Sequence, residues 1–254
     1  MCRLLGTFGR ARSLREVLLG QEHSLEVQSY APKMMNEALL NADGFGVAWY
    51  VEGEEGPARY RSVLPIWSDE NLRSMGGHVR SERILAYVRS ATPGIGVSLP
   101  NTQPFVHGPY CFMHNGYLNE FRQGGTMRRI QQGLSDEAFQ AIGGTSDSEH
   151  LFALTLDALF SGADLLDALK STVERARTAS DGRRGLLAFM LSDGERMVSL
   201  RSGIHGAQMP TLFVNEREGV ATVASEPLDE GEWEPVPGGA SLELHASGVK
   251  RSWT

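Results

Sequence analysis

The chain has 254 residues, of which 41% are hydrophobic and 22% charged, so it contains enough apolar material for a sizeable buried core. Its formal net charge is -7 and its basic residues form no long run, which argues against nucleic acid or an anionic membrane as the main partner. No Cys-x-x-Cys pair and no His-x-x-x-His pair occurs, so the sequence predicts no metal site.

The cysteine pattern and the first residues both favour a reduced, cytoplasmic protein. Cys2 and Cys111 can form a disulfide, but two free thiols in a reducing compartment are the simpler interpretation. The first residues lack the basic and apolar regions of a signal peptide, and no stretch reaches the apolar length of a membrane span. No phosphate-binding or dinucleotide-binding glycine motif is present, so we expect no cofactor. The sequence indicates no oligomeric state.

The first half of the chain consists mainly of strand signals separated by turns. Ser13-Leu-Arg-Glu16 is a capping box that opens a short helix ending at Gly20, and Ser68 is expected to cap a helix over 69–76. Residues 27–32 are predicted to form an extended loop. Five short apolar runs between turn residues predict strands, at 1–9, 47–51, 58–63, 83–89 and 110–115, the last of them closing at Gly116.

The second half begins with helices and ends with strands. Ser146 is expected to cap a helix from about Asp147 to Phe160, and a second amphipathic helix is predicted over 163–179. The polar stretch 117–144 predicts no more than one or two helical turns. Five more strands are predicted, at 185–191, 196–201, 211–214, 219–224 and 241–246, the first two joined by an Asp-Gly hairpin turn.

The order of these elements predicts the fold class. Strands, a central helix pair and more strands follow one another without a repeated strand-helix-strand unit, which favours an α+β fold with mostly antiparallel sheets and helices on the sheet faces. No internal repeat, low-complexity tract or linker is present, so we expect one domain over residues 1–254.

Cys2 is the residue on which the functional interpretation is built. If Met1 is removed, Cys2 carries both a thiol and a free α-amine. The amine titrates near pH ~8 and can accept the thiol proton directly or through one water molecule. The nucleophile and its base then lie on one residue, and no separate histidine is needed. Taken alone, a buried and inert cysteine is the better interpretation of Cys2.

Two further motifs follow predicted strands. Arg89 can bind a carboxylate through two parallel hydrogen bonds, although a surface salt bridge is the better interpretation of a lone arginine. The Asn115 side chain and the Gly116 N–H are two donors that can face one oxyanion, although Asn-Gly after a strand is also an ordinary turn. For His114 we favour a buried core histidine over a proton-transfer role.

A fourth motif opens the predicted central helix. Asp147 lies at the start of this helix, where a carboxylate interacts favourably with the helix dipole. The functional alternative is that this carboxylate holds a substrate ammonium group. Both interpretations place Asp147 at the helix N-terminus, so the sequence alone leaves them open.

In chain order, these motifs resemble a known family. The set is found in class II glutamine amidotransferases, which are N-terminal-nucleophile hydrolases with a four-layer αββα fold: Met1-Cys2, Arg89-Ser-Ala-Thr92, His114-Asn-Gly116, Ser146-Asp-Ser148 and, late in the domain, Ala224-Ser-Glu-Pro-Leu228. Residues 27–32, 41–46 and 61–92 are similar to the free-standing γ-glutamyl amidohydrolases of ergothioneine biosynthesis. Members of that family cleave the γ-glutamyl group from γ-glutamyl-hercynylcysteine sulfoxide.

The resemblance implies a catalytic role for three residues. The Cys2 thiolate would attack the γ-carbonyl of a small-molecule γ-glutamyl substrate, with its own amine as base. The Asn115 side chain and the Gly116 N–H would hold the oxyanion. The amine would then protonate the departing nitrogen, and water would hydrolyse the thioester to release glutamate.

The resemblance also implies a set of substrate-binding residues. Arg89, helped by Thr92, would bind the α-carboxylate of the glutamyl group, and Asp147 would bind its α-ammonium group. His114 is placed in the same set. A substrate that lacks either charged group would leave one of these charges unpaired.

Three functions compete on the sequence. A free-standing hydrolase leads, because no residues remain for a synthetase after one such domain. The first alternative is a glutaminase subunit that delivers ammonia to a separate synthetase. The second is an inactive binding module, against which the presence of Cys2, Arg89, Asn115 and Asp147 together argues.

Overall fold

A computed structural model describes residues 2–34, 40–91 and 96–252. Thirteen strands lie in these ranges: β1 Arg3–Ser13, β2 Phe45–Trp49, β3 Ala58–Ser62, β4 Arg80–Val88, β5 Phe105–His107, β6 Tyr110–Leu118, β7 Gly185–Ser192, β8 Met197–Ile204, β9 Phe213–Arg217, β10 Val220–Ala224, β11 Glu234–Pro235, β12 Ser241–His245 and β13 Gly248–Ser252. Seven α-helices lie there as well: α1 Leu14–Leu18, α2 Leu25–Tyr30, α3 Glu70–Met75, α4 Thr126–Gln132, α5 Asp136–Gln140, α6 Asp147–Phe160 and α7 Leu165–Ser180.

The strands form two sheets, and the described strand pairs are antiparallel. The first sheet has seven strands in the order β11-β9-β10-β1-β4-β2-β3, with β1 at its centre. The second sheet has six strands in the order β13-β12-β8-β7-β6-β5. Cys2 immediately precedes β1, and Asn115 and Gly116 lie in β6, so each sheet contributes one of its inner strands to the candidate site.

Three apolar clusters fill the spaces between the layers. One lies between the two sheets and contains Cys2, Leu4 and Met190. A second joins the seven-stranded sheet to α1 and α3, and a third joins the six-stranded sheet to α6 and α7. The layers are therefore helix, sheet, sheet and helix, which confirms the expected α+β class and its four-layer αββα arrangement.

The local capping signals are confirmed at two helices. The Ser13 hydroxyl accepts a hydrogen bond from the Glu16 N–H, and the Glu16 carboxylate accepts one from the Ser13 N–H, as in a capping box. The Ser146 hydroxyl accepts from the Glu149 N–H and caps α6. Both helices begin where the sequence predicts, because a cap is specified by residues three apart.

Other boundaries differ from the predictions. Residues 27–32 are not an extended loop, because Ser24 caps helix α2 through the Val27 N–H and Leu25 packs in the core. Asp69, not Ser68, caps α3: its carboxylate accepts from the Leu72 N–H, whereas the Ser68 hydroxyl donates to the Pro65 carbonyl.

The 117–144 stretch contains two short helices, α4 and α5. Strand β6 does not close at Gly116 but continues to Leu118, since residues 111–118 all pair with β7. None of the helices in the described ranges is long and apolar enough to cross a membrane.

The aromatic stack around Phe112 gives a first test of this packing. Phe112 is fully buried and stacks on Phe152 at a centroid distance of 5.2 Å. We expect Phe112→Ala to lower the free energy of unfolding by about 3–5 kcal/mol, because it removes a large buried side chain. Urea-induced unfolding measures this loss. The matched control is Phe139→Ala, since Phe139 is 49% exposed and its truncation is expected to cost less than about 1 kcal/mol. Equal losses in the two variants would contradict the assigned core.

Candidate active site

Cys2 lies immediately before β1 and faces the apolar layer between the sheets. Its sulfur is 3.3 Å from both the carbonyl oxygen and the amide nitrogen of Ser90, so the thiol donates to one backbone group and accepts from the other. Arg3 pairs with Val88, which places Cys2 beside the end of β4. Cys2 and Cys111 are both free thiols in the structure, and Cys111 is fully buried.

Arg89 follows β4 and is nearly fully buried. Its Nη2 donates to the Gly96 carbonyl at 3.2 Å, while Nη1 has no hydrogen-bond partner within the described residues. The Asp43 carboxylate accepts from the Ala91 N–H at 2.7 Å, and the Arg89 N–H donates to the Gly44 carbonyl. The turn before β2 therefore fixes the backbone that carries Arg89. A buried guanidinium with a free N–H group is able to take up a carboxylate.

Asn115 and Gly116 lie within β6 rather than in a turn. Gly116 has a φ of +146°, and a Cβ atom there would lie 1.8 Å from the Leu186 carbonyl oxygen, so only glycine fits. Asn115 is fully buried, and its Nδ2 donates to the Ser225 hydroxyl at 3.4 Å. That hydroxyl also accepts from the Leu4 N–H at 3.0 Å. Ser225 thus connects the oxyanion candidate on one sheet with the strand that follows Cys2 on the other.

His114 is completely buried, and both of its ring nitrogens contact protein groups. Nε2 lies 3.0 Å from the Leu186 carbonyl, to which it can only donate, and Nδ1 lies 2.9 Å from the Ser148 hydroxyl, from which it accepts. Burial lowers the pKa of His114, which keeps the ring neutral. This arrangement fits a core histidine, and a substrate contact by His114 stays a prediction.

Asp147 is the first residue of α6 and is almost fully buried. One carboxylate oxygen accepts from the Leu118 N–H and the other from the Ser148 N–H, both at 2.8 Å. The charge is therefore held by backbone donors at a helix N-terminus, which is the favourable end for an anion. The oxygen that accepts from Leu118 retains a second lone pair, so the binding of an ammonium group by Asp147 stays a prediction.

Tyr87 belongs to this cluster, although the sequence does not single it out. Burial is the largest cause that raises the pKa of its hydroxyl well above the usual range, and the neighbouring Cys2 acts in the same direction. Arg89 and Asp147 act on the same hydroxyl, in opposite directions. Tyr87 therefore lies near enough to Cys2, Arg89 and Asp147 for all three to act on its hydroxyl. Thr92, the remaining predicted site residue, lies outside the described residues, as does Met1.

A buried ion pair lies beside Cys2 and is a second feature that the sequence analysis missed. The side chains of Arg3 and Glu226 are fully buried, with Nε and Oε1 2.9 Å apart. Glu226 also accepts from His23 Nε2 and the Lys33 N–H, both at 2.8 Å, and from the Met34 N–H at 3.0 Å. One carboxylate thus ties the first residue of β1 to two separate loops. The sequence does contain a signal for this ion pair, because an arginine inside an apolar strand needs a counter-charge.

Chemically, the site offers a thiol, a buried guanidinium, a buried carboxylate and a glycine with a positive φ on two facing sheets. The described residues contain no group of three or more His, Cys, Asp or Glu side chains placed to hold a metal ion. This cluster fits the attack of a thiolate on the carbonyl carbon of a substrate that also carries a negatively and a positively charged group.

Comparisons with known proteins agree with this chemistry. The family model described as glutamine amidotransferases class-II matches residues 1–252. The chain is 32% identical to the γ-glutamyl-hercynylcysteine sulfoxide hydrolase of Mycobacterium tuberculosis over 250 residues, which cover 98% of this chain and 95% of that one. It is 30% identical to a probable glutamine amidotransferase of Saccharomyces cerevisiae, with 96% of this chain and 82% of the other covered.

A solved structure shows the same architecture. A class II glutamine aminotransferase domain protein from Silicibacter pomeroyi superposes with a TM-score of 0.74 at 28% identity. The superposition covers 99% of this chain and 98% of the other.

The Arg3–Glu226 pair gives the second prediction. Glu226→Gln keeps the shape of the side chain but leaves the Arg3 guanidinium buried without a counter-charge. We expect it to lower the free energy of unfolding by about 3–5 kcal/mol in urea titrations. The matched control is Glu174→Gln, because Glu174 forms an exposed ion pair with Arg177 and its loss is expected to cost less than about 1 kcal/mol. A cost for Glu226→Gln no larger than that of the control would refute the role of the pair.

The buried histidines give the third prediction. Burial lowers the pKa of both His114 and His150. Below the unfolded-state value of ~6.5, the unfolded chain therefore binds protons that the folded chain does not. The free energy of unfolding should be highest above pH ~6.5 and should fall as the pH decreases below it, with one histidine contributing at most about 1.4 kcal/mol per pH unit.

Urea titrations between pH 7.5 and pH 5.5 measure this slope. His150→Gln should reduce the slope, whereas His78→Gln, at an exposed position, should leave it unchanged. An identical slope in wild type and His150→Gln would show that His150 takes up its proton equally in both states.

Proposed function

The chain belongs to the class II glutamine amidotransferase family, and we propose that it is an N-terminal-cysteine hydrolase that releases glutamate from a γ-glutamyl amide. The observation that carries this proposal is the position of Cys2, whose sulfur lies 3.3 Å from the backbone of Ser90, the residue after the buried Arg89. The proposed nucleophile, Cys2, and the proposed carboxylate-binding group, Arg89, thus lie on adjacent chain segments.

The first half of the reaction forms a thioester. Once Met1 is removed, the α-amine of Cys2 accepts the thiol proton, and the thiolate attacks the γ-carbonyl carbon of the substrate. Negative charge collects on the carbonyl oxygen, where the Asn115 amide and the Gly116 N–H would stabilise it. The carbon–nitrogen bond then breaks, and the proton passes from the α-ammonium to the leaving nitrogen.

The second half regenerates the enzyme. Water attacks the γ-glutamyl thioester, with the same α-amine as base, and the carbon–sulfur bond breaks to give glutamate and free Cys2. Throughout both steps Arg89 would hold the α-carboxylate and Asp147 the α-ammonium group. Because both are buried, a substrate that lacked one charged group would leave a buried charge unpaired, which selects for a γ-glutamyl group.

For the leaving group, which departs with the amide nitrogen, we propose hercynylcysteine sulfoxide. The support is the activity for which the mycobacterial relatives are named; the alignment with one of them covers 98% of this chain at 32% identity. A second candidate is a glutaminase that supplies ammonia to a separate synthetase, which is favoured by the similarity to the probable glutamine amidotransferase of yeast. We place the protein in the cytoplasm, in line with its two free thiols.

The fourth prediction tests the nucleophile. Cys2→Ala should lower glutamate release more than about 10³-fold, because no other group can form the thioester. Cys111→Ala, which removes the other thiol, should retain activity. Intact-mass measurement should show the loss of Met1 from the active protein. Full activity in Cys2→Ala, or in protein that keeps Met1, would refute the mechanism.

The same assay distinguishes the substrates. Purified protein is incubated separately with γ-glutamyl-hercynylcysteine sulfoxide and with glutamine, and glutamate is quantified. The proposal expects a higher kcat/KM for the sulfoxide. Turnover of glutamine alone would refute the proposed leaving group and would not affect the proposed role of Cys2.

A further inference from the structure

A cavity lies at the end of β1 that is remote from Cys2. Its volume is ≈ 270 Å³, and Arg10 and Arg12 of β1 contribute to its lining. Ten residues of extended chain separate Cys2 from Arg12, which corresponds to roughly 30 Å at the rise of a β-strand. The cavity is therefore separate from the proposed active site.

The cavity is built on the outer face of the seven-stranded sheet. Ala221 and Val223 of β10 point into the core between the sheets, so Val220 and Thr222 point outwards, and both line the cavity. Asn215 of β9 lies beside them. Thr222 and Asn215 are only 5% and 7% exposed, so the floor offers buried polar groups rather than a fully apolar surface.

The lining carries an excess of positive charge. Four arginines and two glutamates contribute, which leaves a surplus of two positive charges: Arg10, Arg12, Arg80, Arg217, Glu16 and Glu218. Three of the arginines have carboxylate partners. Arg10 pairs with Glu218 at 3.5 Å and Arg80 with Glu16 at 3.5 Å. Arg217 pairs with Asp229, which lies outside the lining.

Arg12 differs from the other three arginines in its hydrogen-bond and ion-pair partners. Its Nη2 donates to the backbone carbonyl of Glu16 at 3.3 Å, and no carboxylate of the described residues forms an ion pair with it. Burial is the largest cause that lowers the pKa of Arg12, and the neighbouring charges of Arg217 and Arg10 act in the same direction, against the charges of Glu16 and Glu218. The guanidinium of Arg12 is half-buried and forms no direct ion pair with a described carboxylate, and an anion in the cavity would supply one.

We propose that this cavity binds a small molecule through a carboxylate or phosphate group, with Arg12 as its main ligand. The planar guanidinium presents parallel N–H donors that match either oxyanion. Trp233, whose Nε1 donates to Asp229 at 3.0 Å, provides a flat wall for the rest of the molecule. The volume lies just below the usual range for ligand pockets of about 300–1,000 Å³, so the ligand is a small metabolite rather than a polymer.

The fifth prediction tests this site with defined anions. The melting temperature of the full chain is measured in increasing sodium phosphate and, separately, sodium citrate, with the ionic strength held constant by sodium chloride. We expect a saturable rise of the melting temperature with at least one anion, because a ligand that binds the folded state stabilises it. A rise with phosphate alone identifies a phosphate ligand, and a rise with citrate alone identifies a carboxylate ligand.

The variants locate the effect. Arg12→Gln should abolish the rise, and Arg12→Lys, which keeps the charge but not the paired donors, should weaken it about tenfold in apparent affinity. The control is Arg177→Gln on α7, which removes the same charge from an exposed position far from the cavity and should keep the full rise. No saturable rise with either anion, or the same rise in Arg12→Gln as in wild type, would overturn the proposal.

Discussion

The fold depends on the neutralisation of one charge. Arg3 lies in the central strand of the seven-stranded sheet, directly after Cys2, and its side chain is fully buried. A charged group removed from water without a counter-charge costs many kcal/mol, so Arg3 can be buried only if a carboxylate is buried with it. Glu226 supplies that carboxylate, which also accepts hydrogen bonds from His23 and from the backbone of residues 33 and 34. The position of Cys2 is therefore fixed by contacts on the opposite side of its own strand.

The candidate site also depends on the separation of the two sheets. Gly6 in β1 faces Met190 so closely that a Cβ atom would lie 2.2 Å from the methionine sulfur. Ser225 accepts hydrogen bonds from Leu4 of one sheet and Asn115 of the other, which sets the distance between the nucleophile and the oxyanion candidate. Because protein interiors are closely packed, a change in this layer would move both halves of the site relative to each other.

The sequence predicts local features well and distant contacts poorly. The Ser13 box and the Ser146 cap involve residues three apart, so a short pattern specifies them. The prediction that β6 closes at Gly116 is wrong because Asn-Gly is a common turn, whereas here the unusual backbone of Gly116 fits beside Leu186 within a continuing strand. Motif order predicts Cys2 and its site partners, whereas the pairing of Arg3 with Glu226, 223 positions away along the chain, follows only from the tertiary fold.

The hydrogen bonds between Cys2 and Ser90 do not depend on the side chain at position 90. Both bonds use the main-chain N–H and C=O of Ser90 and neither uses its hydroxyl. Every amino acid except proline carries these two groups. A substitution at position 90 that fits the local backbone would therefore change the surroundings of the thiol and keep both bonds to it.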